Sequence, residues 1–445
     1  MKNKVLIITY DMIPHASSWG GCQRMYYLSK FLVKRGYDVT VFSCKKHTNT
    51  TFGNDICFKT YSLEIKSRFL KKFVYSKGDN TTNIVENKDS QGFLSKARNL
   101  IKTYKGLMNF LLKVDAFFYN EPTFLAGPIS LNWIKTNYNQ IREYIEKEKI
   151  STVIVSVPAF NLLRIGELLK RDFKNRICLI YDYRDPWNMW KRTSIGCFNR
   201  EKRYLKYADK VVCTNAQLLK DMSDVFNCKI EKFSVVSNGY SNEQWEKARA
   251  TRTNFNNKFV ISYIGSIEIV YSGIRNVYNL IDAYRRILNK CPNMQIQFVG
   301  VNNINLPNVL NLEQEFGERI LFIPSVPAQE SFTYMLNSNA LLLLHTTEDD
   351  SSKYIISGKF YDYIRANKPI MSIGSKNGIH HQFVTEYGLG VSVVDDADAI
   401  EIALVNMYRN WEKRIDDEAK AIDVECFSRE EQYETYNKII LKNVR

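Results

Sequence analysis

Short apolar runs alternate with longer stretches of helical spacing along most of the chain. Residues 5–9 are the first such run, and a loop over 10–22 follows. Met25, Leu28 and Leu32 then mark one face of a helix, Gly36 closes it, and 39–43 is the next run. This strand, helix, strand opening predicts a parallel βαβ unit. Runs at 152–157, 178–183, 210–214 and 233–237 predict four further buried strands, with amphipathic sequence such as 132–149 between them. Residues 76–92 are polar and read as a loop. Asn238-Gly239 predicts a turn, and the polar residues 241–257 a linker. Beyond it, strands are expected at 259–264, 295–299, 320–323, 340–344, 369–373 and 391–394, with a short helix over 359–366. Strands alternating with helices in both halves predict an α/β protein with two doubly wound parallel sheets facing one cleft.

At 445 residues, two domains are expected, and an apolar fraction of 45% can supply two cores. The nine cysteines are scattered without a C-x-x-C pair, which suggests neither a zinc site nor a disulfide framework. Together with an amino terminus unlike a signal peptide and no long apolar span, they point to a reducing cytoplasm. The net charge of +15 is unevenly spread: residues 64–113 hold eleven Lys/Arg against four Asp/Glu. Within them, 93–113 has apolar residues at 94, 97, 101, 104, 108 and 111, with Lys96, Arg98, Lys102, Lys105 and Lys113 around the stripe. Such a helix can lie on an anionic membrane surface, or pack on a sheet as any core-facing helix does. No nucleic-acid partner is expected.

Open α/β sheets bind ligands beyond the carboxyl ends of their strands. After the run at 340–344 the chain offers His345, Glu348, Asp349, Asp350, Lys359 and Asp362. Carboxylates can hold hydroxyls and a lysine can meet phosphate; a solvated acidic loop is the alternative. Gly265 and Ser266 close the first strand of the second half, and Arg275 opens the next helix, which suits a diphosphate. In the first half, Gly20-Gly21 can admit a phosphate to backbone amides, although G-x-G-x-x-G is missing. Arg184 and Asp185 end the strand at 178–183, where they either line a cleft or brace a loop. His15 is a candidate for proton or phosphate contact, or a surface histidine.

Several of these segments resemble motifs of GT-B glycosyltransferases, family 4 especially. Gly358-Lys359-Phe360-Tyr361-Asp362-Tyr363-Ile364 with Asn367-Lys368-Pro369-Ile370 is similar to the family's K-(L/F)-x-E-Y-(L/M)-A-x-G-K-P-(I/V). Gly20-Gly21-Cys22-Gln23-Arg24 resembles G-G-x-(Q/E)-R, and Asp182-Tyr183-Arg184-Asp185-Pro186-Trp187 resembles D-(F/Y)-R-D-x-W. Asn238-Gly239-Tyr240, Gly265-Ser266 with Arg275, and Phe427-Ser428-Arg429 extend the likeness. The resemblance implies a GT-B fold of two Rossmann-like domains. The first, 1–240, takes the acceptor, with the terminal helix, 410–445, packing back on it; the second, 258–409, takes a UDP- or GDP-linked sugar. It implies donor contacts from Gly20, Gly21, Gly265, Ser266, Arg275, Val326 (near the base), Lys359 and Asp362 (on the ribose), and catalytic candidates Asp185 and Arg184; the residues themselves add Glu348, from the acidic loop, to the donor set and His15, as the first-half histidine in a cleft loop, to the catalytic one. No metal or cofactor is implied, and retention of configuration is.

The sequence departs from the family at Tyr354, where an acidic residue is usual, and between 156 and 163, where a histidine is common. The expected function is sugar transfer from a nucleotide sugar to a glycan or lipid-linked acceptor, in cell-surface polysaccharide synthesis. A nucleotide-sugar epimerase of the same fold and a non-catalytic nucleotide-sugar-binding partner are the alternatives.

Overall fold

The computed structural model describes residues 3–16, 19–45, 55–68, 70, 106, 109–122, 125–189, 194–249, 257–267, 276–345, 350–413 and 423–443. The chain divides into two compact units, 1–236 with 433–445, and 237–432.

The first unit holds a seven-stranded sheet: β1 (Lys4–Thr9), β2 (Asp38–Cys44), β3 (Lys59–Leu63), β4 (Thr152–Val157), β5 (Cys178–Tyr183), β6 (Lys210–Cys213) and β7 (Phe233–Val235), in the order 3-2-1-4-5-6-7. All its paired strands run parallel. β1, β4 and β5 read as near-continuous apolar runs because both faces are covered. Strand β3 escapes the apolar pattern. It is an edge strand with alternating exposure, and Lys-Thr-Tyr-Ser-Leu carries no apolar run.

Gly20 and Gly21 lie in the first turn of helix Trp19–Lys34 rather than in the expected loop. The buried period Cys22, Met25, Leu28 and Leu32 carries the helix one turn further back. The helix expected over 132–149 likewise begins earlier, at Ala126.

The second unit holds β8 (Phe259–Ile267), β9 (Met294–Val301), β10 (Ile320–Pro324), β11 (Ala340–His345), β12 (Ile370–Gly374) and β13 (Gly390–Val393), all parallel, in the order 10-9-8-11-12-13. Numbered from its own first strand, this is 3-2-1-4-5-6, a Rossmann order, and the order reverses between β8 and β11.

The expected return segment, 410–445, is divided. Residues up to 432 belong to the second unit, where helix Ala397–Glu412 adds Leu404, Met407 and Tyr408 to the core. Tyr433, Tyr436 and Ile440 join the core of the first unit. Asn238-Gly239 is a close crossing of two chain segments: a Cβ on Gly239 would stand 2.7 Å from the Phe427 carbonyl oxygen. Tyr240 N–H donates to that carbonyl at 3.2 Å, and Arg429 N–H to Tyr240 O at 2.9 Å.

Candidate functional site

The switch point between β8 and β11 is covered by helix Gly358–Ala366. Tyr363 fastens it there: its hydroxyl accepts Ile264 N–H at 2.8 Å and donates to Leu342 O at 3.2 Å. One turn earlier, Lys359 lies with Nζ buried and 3.6 Å from the centre of the Tyr263 ring. Gly265 ends the straight part of β8 with φ +126°, and a Cβ there would stand 2.8 Å from Lys359 Nζ. Gly265 thus supplies both a backbone conformation that side chains avoid and room for the ammonium. Gly300 (φ +105°) packs as closely on Gly265, since its Cβ would meet Gly265 O at 2.4 Å.

The structure therefore brings together Gly265 and Lys359. Ser266 is exposed beside them and bonds Asn302 at 2.8 Å. Asp362 sits three residues along the helix, where its carboxylate accepts Trp245 Nε1–H at 3.2 Å. Burial lifts this carboxyl to about 6, opposed by Arg429 and by the Trp245 bond. Val326 lies in the loop after β10 and packs partly on the second unit's core. Arg275, Glu348 and Asp349 lie outside the described residues, as does the side chain of Asp350.

In the first unit, Arg184 follows β5. Its guanidinium donates to three main-chain carbonyls: Val157 at 3.1 Å, Pro158 at 2.8 Å, and Gly21. It ties the amino end of helix Trp19–Lys34 to the loop after β4. Asp185 is partly exposed, and burial raises its carboxyl above the ordinary value despite Arg184. His15 is half-buried in the loop after β1, its N–H on Met12 O at 3.0 Å.

Of the segment 93–113, only Gly106 and 109–113 are described. Residues 109–119 are helical, and they hold Phe110, Phe117 and Phe118 more than half exposed, at 61%, 52% and 54%. Ile195, on a separate helix, is 79% exposed. That helix is joined to this one by Cys197 Sγ, which contacts Phe118 O at 3.2 Å, and by an Arg200 bond to the same carbonyl. Among the described residues, no helix is long and apolar enough to cross a membrane.

No family model and no curated protein matches the chain in sequence. Solved structures do match in fold. The chain is similar to a glycosyltransferase from Rickettsia africae at 11% identity and TM-score 0.65, over 100% of this chain and 99% of that one. It is similar to HepE from Anabaena, solved in complex with UDP and glucose, at 12% identity and TM-score 0.60, over 99% and 100%. It is also similar to the UDP-GlcNAc 2-epimerase of Methanocaldococcus jannaschii, at 10% identity and TM-score 0.54, over 99% of each chain. The chain has the GT-B fold.

Two groups of this GT-B chain carry more than their sequence showed. Arg24 and Asp182 each close or open one of the two first-half motifs. They form a buried ion pair, Nη2 to Oδ2 2.9 Å, completed by Ser156 Oγ on Asp182 (3.1 Å) and Val236 O on Arg24 (2.8 Å). Trp187 of the same motif is stacked between Phe160 and Tyr204, at 5.7 and 6.4 Å between ring centres. His380 had no sequence signal beyond being a histidine. Its Nε2 accepts Ser357 N–H at 3.2 Å, and its ring stands 5.5 Å from those of His345 and Phe360. Burial pushes the imidazole down to about 3, with His345 and Lys359 adding to the effect.

Proposed function

We propose that the chain is a glycosyltransferase of family 4 type that moves a sugar from a UDP- or GDP-linked donor to a glycan or lipid-linked acceptor. The observation that carries this reading is the Lys359 ammonium held beside Gly265 at the switch point of a GT-B sheet. A cation aimed at a strand end where backbone can approach closely suits a leaving diphosphate. Gly265, Ser266, Lys359 and Asp362 form the donor site in this reading, with Arg275, Glu348 and Val326 completing it. The lysine and arginine carry the diphosphate charge, so the reaction requires no metal or cofactor, and it retains configuration. Asp185 and His15 act on the acceptor side, with Arg184 bracing the loop that carries Asp185.

Isothermal calorimetry tests the donor site. Loss of a charge-assisted contact to the diphosphate should weaken UDP or GDP binding at least tenfold in Lys359→Ala, from roughly 1.5–3 kcal/mol per contact. Equal affinity in the wild type and Lys359→Ala would remove the lysine from the site. The similarity to an epimerase supports a second reading, interconversion of the donor sugar without an acceptor.

The protein is proposed to work at the cytoplasmic face of a membrane, in cell-surface polysaccharide synthesis. The exposed Phe110, Phe117, Phe118 and Ile195, with the basic residues of 93–113, support this docking.

A further inference from the structure

His380 is 4% exposed, in the first turn of helix Ile379–Glu386. Its acceptor nitrogen, Nε2, faces the main-chain N–H of Ser357, so the ring proton sits on Nδ1. Ser357 is the cap residue of helix Gly358–Ala366, and its own side chain makes no capping bond. The imidazole, from another element, thus holds the cap in place. The same ring packs edge-on against Phe360. Ser357 and Phe360 bracket Lys359, so one buried side chain touches the helix on both sides of the lysine. The His345 ring, at the end of β11, stands 5.5 Å from the imidazole.

We propose that His380 is a positioning residue for diphosphate binding, fixing the cap of this helix and thereby the place of the Lys359 ammonium beside Gly265. The inference rests on the reading of Lys359 as the diphosphate cation. It differs from a filling role in what it affects. A core filler would weaken binding of every part of the ligand or none. A positioning residue acts on the phosphates and leaves the base and ribose alone.

The test is calorimetry with the full chain, using UDP or GDP, whichever binds, and the matching nucleoside. His380→Leu should weaken diphosphate binding about tenfold, the scale of one misplaced charge contact, and leave nucleoside binding within about twofold. His380→Gln, whose amide oxygen can accept the Ser357 N–H, should recover most of that loss. His380→Phe keeps a ring against Phe360 and His345 and removes only the acceptor. It should reproduce the leucine phenotype. Should His380→Leu fail to fold, His380→Phe decides the matter alone. Wild-type diphosphate affinity in both His380→Leu and His380→Phe, with Lys359→Ala weakened, overturns this inference and leaves the lysine reading standing. Equal loss of nucleoside and diphosphate binding also overturns it. Wild-type affinity in Lys359→Ala overturns the lysine reading and this inference with it.

Discussion

Lys359 keeps its ammonium out of bulk water over the face of Tyr263, a contact contributing about 0.5–2 kcal/mol. That partly offsets desolvation and holds the charge in place. Asp362, on the same helix, adds a pH dependence. Burial lifts its carboxyl to about 6, so the folded protein holds that proton well above the ordinary carboxylate range. A carboxylate accepts ribose hydroxyls better as the anion. Nucleotide affinity should therefore rise as pH rises through about 6, and be lost as pH falls through it. Calorimetry from pH 5 to 7.5 checks this. Asp362→Asn should show less of the rise than the wild type, since phosphate ionisation is common to both, and parallel profiles would remove Asp362 from the ribose. Gly265 is the complementary case. Gly265→Ala places a methyl 2.8 Å from Lys359 Nζ at φ +126°, which costs roughly 1–3 kcal/mol in backbone strain and displaces the lysine. Lower urea midpoint together with weaker UDP binding is the expected result.

At the scale of elements, the first unit is braced by one residue from each of its two motifs, 20–24 and 182–187. Arg24 of helix Trp19–Lys34 and Asp182 of β5 are paired in the core, with a third contact from β4 through Ser156. Removing one partner strands a buried charge, so Arg24→Ala should cost roughly 3–5 kcal/mol in urea unfolding. A loss below about 1 kcal/mol would contradict a bracing role. The strands were legible wherever both faces are covered, because the apolar run then needs no partner to be recognised. Edge strand β3 was not, and neither was the crossing at Gly239, where Asn-Gly reads as a turn but the glycine answers to a neighbouring segment. That Gly265 and Lys359 fall on the carboxyl side of their sheet was legible from their places, one at the end of β8 and the other opening the helix after β11. The Arg24–Asp182 pair and His380 depend on contacts between residues 158 and 23 positions apart, which local pattern does not carry.

At the scale of the whole molecule, the proposed nucleotide-sugar chemistry leaves the acceptor open, because a fold does not name a substrate. The proposed membrane docking would favour a lipid-linked one. Vesicle sedimentation checks it: binding should rise with anionic lipid, fall with salt, and drop when Phe117 and Phe118 become Ser. Equal recovery in the supernatant with and without anionic vesicles at low salt would leave the exposed phenylalanines to another role. The central claim is transfer, and the most direct measurement is turnover of a panel of UDP- and GDP-sugars with a membrane extract as acceptor source. The account predicts acceptor-dependent release of UDP or GDP with sugar incorporated into the extract, at least tenfold slower at subsaturating donor in Lys359→Ala. Interconversion of the donor sugar without an acceptor, or tight nucleotide binding with no turnover of any donor, would contradict it.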